Sequence, residues 1–328
     1  MEIWNSLAAV AGSDIDDRGW HQAKLGIKTG GLGLRSPEEH AAAAFLSSTS
    51  QTAELCMAID PNFDPLDAGN HLRLHETKND FWRRIHPDAT VSFPQKQKKL
   101  SELVDAGSKD TLNHRRDADV SYRAHLSLQS LRGAGAWLIA APTDDELSIA
   151  SPLFQISLQR RLRLRVQDAD CYCPLCGLTM DSFGDHALVC ACNGDRTIRH
   201  NCLRNVVYEE AVAGGMSPTK EKAGLLPSRP PQDGVHTETT RSNRARRRPA
   251  DVYLPRGPGN KPAALDFACT SGLRFDRLRA AIDEPDGVCA DYEDMKRNFR
   301  PDNEDRGTEE LCEQQGFQFL PMVIEPHS

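Results

Sequence analysis

The chain has 328 residues, enough for two domains of ordinary size, and its 39% apolar content is enough to fill cores and too high for a disordered polypeptide. It contains no run of 18 apolar residues, and the opening MEIWNSLAAVAGSDIDDRGW has no basic segment ahead of its short apolar stretch, so neither a membrane span nor a secretory signal is expected and the setting is read as intracellular. A formal charge of −7 argues on average against a nucleic-acid partner, but residues 281–313 hold twelve Asp or Glu against four Lys or Arg, and this local −8 leaves the rest of the chain near +1.

In chain order, residues 1–150 are predicted to be mostly α. EEHAAAAFLSSTSQTAELCMAI (38–59) has helical composition, and DFWRRIHP (80–87) ends its helix at a proline; no nucleotide-binding loop, G-x-S-x-G or repeat interrupts them. A second unit, 151–195, begins with SPLFQISLQRRLRLRV, read as an amphipathic helix carrying Arg160, Arg161, Arg163 and Arg165, and runs into a cysteine-rich segment. The third unit, 196–328, follows from DRTIRHNCLRNVVYEEAVAGG, a helix with Asp195 as N-cap and Gly214 or Gly215 as its stop. A proline-rich loop extends to about 240. ADVYLP and AALDFACTS then form two strands of a hairpin around RGPGNKP, DYEDMKRNF lies on a helix, and GFQFLPMVIE is the last strand. Helix, strand, strand, helix, strand is an α/β order.

Ten cysteines in a reducing compartment point to thiols or metal ligands rather than disulfides, and six of them fall between Cys171 and Cys202. Cys173, Cys176, His186 and Cys190 have the spacing C-x2-C-x9-H-x3-C. Two ligands on a tight turn and two about one helical turn apart can close a tetrahedron around zinc, and four protein ligands make a structural site with no position open for water. So small a segment has little apolar core, and zinc would supply its folding energy. Cys171, Cys192 and His200 lie near enough to substitute, and the alternative is a set of buried free thiols with a satisfied core histidine.

The hairpin puts Asp251 at the start of its first strand and Asp266 inside its second. A carboxylate within the apolar run AALDFAC is costly to bury unless it is paired or holds a cation. Two carboxylates converging across a hairpin suit Mg²⁺ or Mn²⁺ and the activation of water for phosphodiester cleavage; alternatively Asp251 caps a turn and Asp266 pairs with an arginine. Just upstream, Arg241, Arg244, Arg246, Arg247 and Arg248 form a basic run, which is either a solvated loop or a contact for phosphates.

Taken together, C-P-L-C-G, G-D-H-A-L-V-C, R-H-N, R-R-P-A-D-V, A-L-D-F-A-C-T-S and F-L-P-M-V-I-E resemble, in that order, the C-terminal part of non-LTR retrotransposon reverse transcriptase polyproteins. KTGGLGLRSPEEHAAAAFLSS is similar to the segment after their polymerase core. The resemblance covers most of the chain and is most specific over 171–275. It implies a zinc knuckle followed by a restriction-endonuclease-like domain of the PD-(D/E)xK type, a mixed sheet flanked by helices. By motif, Asp251 and Asp266 are the acidic metal-binding positions and Glu221 the upstream acid, with Glu209 or Glu210 as substitutes. The lysine expected two residues after Asp266 is replaced by Ala268; Lys296 is the candidate to take its role, with Lys261 behind it.

No Y-x-D-D motif occurs, and DYEDM at 291–295 is not one, so the chain is not a reverse transcriptase by itself but resembles the tail of one. The expected function is nicking of target DNA with structural Zn and catalytic Mg or Mn. DNA, or alternatively RNA, is the expected partner, together with a separate reverse transcriptase, and a nuclear location follows if the target is genomic. Arg160, Arg161 and the Arg241–Arg248 run are expected to contact phosphates. The rival is a catalytically decayed, zinc-containing nucleic-acid-binding remnant. Trp4, Trp20, Trp82 and Trp137 are read as core or surface anchors, His71, His75, His86, His114 and His125 as ordinary residues, and Cys269 as a strand filler.

Overall fold

The computed structural model describes residues 2–63, 72–91, 95–143, 148–226, 249–300 and 306–326. Helices α1 (Glu2–Ala11), α2 (Asp17–Lys24), α3 (Pro37–Ile59), α4 (Leu72–Arg84), α5 (Gln97–Asn113), α6 (Val120–Leu128) and α7 (Ser151–Arg161) fill the N-terminal half. Their starts are written locally. Asp16 accepts from Gly19 N at 2.6 Å and Asp119 from Tyr122 N at 2.7 Å, while Ser36 accepts from Glu39 N with Pro37 opening α3. The stripe Ala42, Ala43 and Leu46 of α3 packs on Phe81 of α4 and Leu100 and Val104 of α5. Three of the tryptophans pack on aromatic neighbours, Trp4 and Trp20 5.1 Å apart and Trp137 edge-on to Phe154, while Trp82 is exposed. Among the described residues, no helix is long and apolar enough to cross a membrane.

The helix expected over 151–166 is shorter. It stops at Arg161, and Arg163 takes a left-handed conformation, φ 54°, with Leu164 N donating back to Gln159 O at 2.8 Å. A non-glycine residue in this region needs support. Arg163 has it, donating to Asp185 Oδ1 and to Ser121 Oγ, each at 2.7 Å.

The roles expected for Arg160 and Arg161 require correction. Arg161 is 1% exposed. Its guanidinium donates to Gly31 O at 3.1 Å, Ile27 O at 2.8 Å, Ala134 O at 3.1 Å and Gln129 Oε1 at 2.8 Å. Burial draws its pKa down to about 10. Arg160 donates to Phe183 O at 2.8 Å and faces Asp185 at 3.6 Å. Both side chains serve carbonyls and a carboxylate of the fold, so neither presents its charge to a phosphate backbone. The run Arg241, Arg244, Arg246, Arg247 and Arg248 lies outside the described residues, as do His71 and the side chain of His75.

Strands β1 (Cys171–Tyr172) and β2 (Thr179–Met180) pair antiparallel, and α8 (Asp185–Val189) follows. Next comes α9 (Asp195–Ala213). Its N-cap is Gly194, at φ 84°, rather than Asp195, which is the first helical residue; Gly214 closes the helix. An acidic side chain is as favourable in the first turn as at the cap, so the two placements read alike in sequence.

A four-stranded sheet, in the order β3 (Thr219–Lys220), β4 (Val252–Leu254), β5 (Ala263–Cys269) and β6 (Gln318–Ile324), carries the C-terminal half. The first two pairings are antiparallel and β5–β6 is parallel, so the fold is mixed helix and sheet. The parallel pairing needs a crossover, supplied by α10 (Leu278–Asp283), α11 (Gly287–Arg297) and α12 (Thr308–Gln314). Strand β5 is covered on both faces. Leu265 and Phe267 pack with α9 through Leu203, Val207 and Ala211, while Ala264 packs with Cys312 of α12 and Phe319 of β6.

A further cluster joins Ala124 and Leu128 of α6 to Ala281 of α10 and Val288 of α11, so apolar packing crosses the division between 1–150 and 196–328. The contact is tight at Gly272, where an added Cβ would lie 2.9 Å from Leu128 Cδ1 and 3.0 Å from Ala281 Cβ.

Two stability predictions follow from the buried polar residues. Arg161→Ala removes the four buried hydrogen bonds that the guanidinium donates and is expected to cost about 3 kcal/mol, read from urea unfolding midpoints. His125 is 1% exposed and 3.1 Å from Arg161 O through Nε2; burial, aided by Arg163, holds its pKa well below 6.5. The unfolded chain therefore binds a proton that the folded chain refuses, and the stability lost grows as pH falls below about 6.5. The melting temperature should drop from pH 7 to pH 5 more steeply in the wild type than in His125→Gln.

Candidate functional site

The knuckle is built from local turns. In C-P-L-C-G, Gly177 takes φ 72° and donates to Cys173 O at 2.9 Å, and Cys173 N donates to Leu178 O at 2.7 Å. Asp181 sets the second half. Its Oδ1 accepts from Phe183 N and Asp185 N at 3.0 Å each, and its Oδ2 accepts from His186 N at 2.8 Å. Burial opposes ionisation of Asp181, but the N–H groups of His186 and Asp185 outweigh it and hold the carboxyl below its usual range. The sequence reading did not single out this residue; its signal is an Asp four residues before Asp185, the first residue of α8.

Cys173, Cys176, His186 and Cys190 come together, with their ligand atoms all within 4.8 Å of one another. Cys173 Sγ lies 3.9 Å from Cys190 Sγ, and Cys176 Sγ lies 3.1 Å from His186 Nε2. Two thiolates sharing a tetrahedral zinc at 2.3 Å would be about 3.8 Å apart. The donor set is soft and complete, and Cys173 and Cys190 are buried, so the group fits a closed structural zinc site. The N–H groups of Leu175 and Cys176 draw the Cys173 thiol down to about 6, supplying a thiolate for the metal. The substitutes considered from sequence stand elsewhere: Cys171 and Cys192 are exposed, and His200 serves another partner.

The second cluster lies at the hairpin. Val252 pairs with Leu265, and Asp251 and Asp266 each lie one residue beyond that pair. Asp251 N donates to Leu265 O at 2.9 Å. Its Oδ2 accepts from Phe267 N at 2.7 Å and lies 2.9 Å from His200 Nε2 on α9. Lys296, from α11, donates to Asp266 Oδ2 at 2.6 Å and to Phe267 O at 3.0 Å. Burial raises the Asp266 pKa; Lys296 counters this rise and the neighbouring Asp251 carboxyl adds to it. Of the expected residues, Asp251, Asp266 and Lys296 are therefore brought together.

Glu221 sits beside them by backbone only. Its N–H donates to Asp251 O at 3.0 Å, while its carboxylate pairs with Arg204 Nη1 at 2.7 Å. Glu209 and Glu210 are exposed on the last turns of α9, and Lys261 is exposed in the hairpin loop. Cys269 is half-buried, and burial raises its thiol pKa, as suits a strand filler rather than a nucleophile.

Beyond the C-terminal end of β5 lies a cleft of about 390 Å³, whose lining includes Arg196, Arg199, His200, Arg274, Tyr292 and Lys296. Arg196, Arg199 and His200 stand at i, i+3 and i+4 on one face of α9, a spacing the sequence displayed and the reading of single motifs passed over. The cleft thus offers cations to an anionic ligand at the edge of a partly buried carboxylate pair.

The metal assignment has a direct check. The purified protein should carry one zinc per chain by elemental analysis, and Cys173→Ser or His186→Ala should abolish stoichiometric zinc and render residues 171–192 susceptible to protease.

No family model matches the chain, and no curated protein is significantly similar to it.

Proposed function

We propose that the chain is a zinc-containing, divalent-metal-dependent DNA endonuclease of the restriction-endonuclease-like type, related to the tail of non-LTR retrotransposon polyproteins. The observation that carries this reading is the meeting of Asp251, Asp266 and Lys296 at the rim of a cleft lined by Arg196 and Arg274. The order of helix, three strands, crossover helices and a last parallel strand supports the expected mixed sheet.

In this reading the arginines bind the phosphate backbone by charge, which gives affinity without base choice. Asp251 and Asp266 would hold Mg²⁺ or Mn²⁺, whose chemistry is to sharpen a water nucleophile and stabilise the leaving oxygen. The Asp251 carboxylate is already fixed by Phe267 N–H and His200, so its orientation requires no rearrangement. Lys296 reaches the acidic pair from α11 and takes the part of the absent lysine at position 268, orienting water or countering charge at the phosphate. Glu221, tied to Arg204, positions Asp251 through its own N–H rather than through its carboxylate.

The zinc-loaded protein should convert supercoiled plasmid to the nicked form when Mg²⁺ or Mn²⁺ is added and leave it intact when the added metal is omitted. Asp251→Ala with Asp266→Ala should abolish nicking, and Lys296→Ala should slow it at least about a hundredfold. Equal inertness of wild type and double mutant, with DNA still shifted in a gel, would replace this reading by that of a decayed binding remnant. The ion pair that occupies Asp266 Oδ2 is the feature that favours the rival.

A further inference from the structure

We propose that Arg199 is the positioning residue through which zinc in the knuckle holds the cleft in shape. This goes beyond the nuclease reading and stands on geometry whichever reaction the cleft serves. Arg199 Nη2 donates to Cys190 O at 2.5 Å, and Nη1 donates to Ala187 O at 3.3 Å. Cys190 and His186 are metal ligands by the fit given above, and Ala187 lies between them. Ala187 O lies in the last turn of α8 and Cys190 O at its C-cap, where the helix has no further N–H groups to meet them. One planar guanidinium therefore grips the ligand-bearing turn at two points, and its fork shape fits two acceptors where an ammonium would act as a point charge.

The other end of the connection starts one residue on. His200 contacts Asp251 Oδ2, and that same oxygen accepts from Phe267 N. Leu188, Val189 and Ala191 of the knuckle line the cleft together with Lys296 and Tyr292, and Arg199 itself lies in the lining. The knuckle's far side is tied to the helical half by Arg160, which donates to Phe183 O, and by Arg163, which pairs with Asp185. It is thus anchored on one side and grips α9 on the other.

A segment with two two-residue strands and a five-residue helix has almost no core without its metal. Loss of zinc therefore removes the carbonyls that hold Arg199 and with them part of the cleft lining. Zinc here works as a tie between two halves and not as an independent finger.

The test uses the full chain and two readouts that require no catalysis. The first is hydrogen exchange, with and without a zinc chelator, with the α3–α5 core as internal reference. Chelation should speed exchange at least tenfold at 195–203 and at the Phe267 amide while leaving the reference unchanged. Zinc-loaded Arg199→Ala should reproduce the Phe267 effect with its metal still bound, and Arg199→Lys should restore part of the protection.

The second readout is zinc affinity by competition with a chromophoric chelator. Arg199→Ala should lower it about tenfold, as removal of a group supporting a metal ligand does. His200→Ala should also lower it, but not further in the Arg199→Ala background, since two sites coupled through one residue lose their coupling with it.

Exchange that quickens only within 171–192 would overturn the proposal. So would an Arg199→Ala protein with wild-type zinc affinity and Phe267 protection, or effects of the two substitutions that simply multiply. None of these outcomes depends on nicking, so failure here is distinct from failure of the nuclease reading.

Discussion

A single carboxylate oxygen, Asp251 Oδ2, stands where the β4–β5 pairing ends and α9 passes over the sheet. It accepts the Phe267 N–H that β4 leaves without a backbone acceptor, and it meets an imidazole from the helix packed above. A buried N–H with no acceptor would cost about 1–3 kcal/mol, so the side chain completes the sheet and aims a helix by one set of contacts. Charge enters the interior only under such terms. Asp266, one residue before Phe267, has the Lys296 ammonium brought to it across the crossover, and the same ammonium also serves Phe267 O. Apolar packing of Leu265 and Phe267 against α9 excludes water from the neighbourhood and strengthens these contacts.

How much of this was legible varies with how local the signal is. The knuckle could be read because all four ligands fall within 18 residues and their spacing alone nearly dictates the turn geometry. The hairpin was readable for a similar reason: the Gly and Pro residues between ADVYLP and AALDFACTS permit few other connections. Lys296 is a longer reach. The family motif asked for a lysine at 268, and only the path of α11 back across the sheet brings one from 28 residues further along.

Arg160 and Arg161 show where such reading stops. An arginine on a helix facing solvent and one buried as a strut have the same neighbours in sequence, because what separates them is the set of distant carbonyls at Ile27, Gly31 and Ala134. The N-cap of α9 was displaced by one residue because Asp195 is favourable at either position. Glu221 lies beside Asp251 as its motif position suggested, yet Arg204 takes its carboxylate. Motif spacing specifies where the backbone passes; pairing among charges decides where the side chains go.

The packing of α6 against α10 and α11 bears on how the chain can be divided. Leu128 and Ala124 are as buried as any residue of the sheet, and they are covered by the same connection that carries Lys296 between β5 and β6. A truncation at residue 150 would strip the outer side of that connection and leave Leu273, Leu278 and Ile282 facing water. The helical half therefore acts as a lid on the back of the crossover, and the smallest autonomous folding unit containing the carboxylate pair extends back at least to α6.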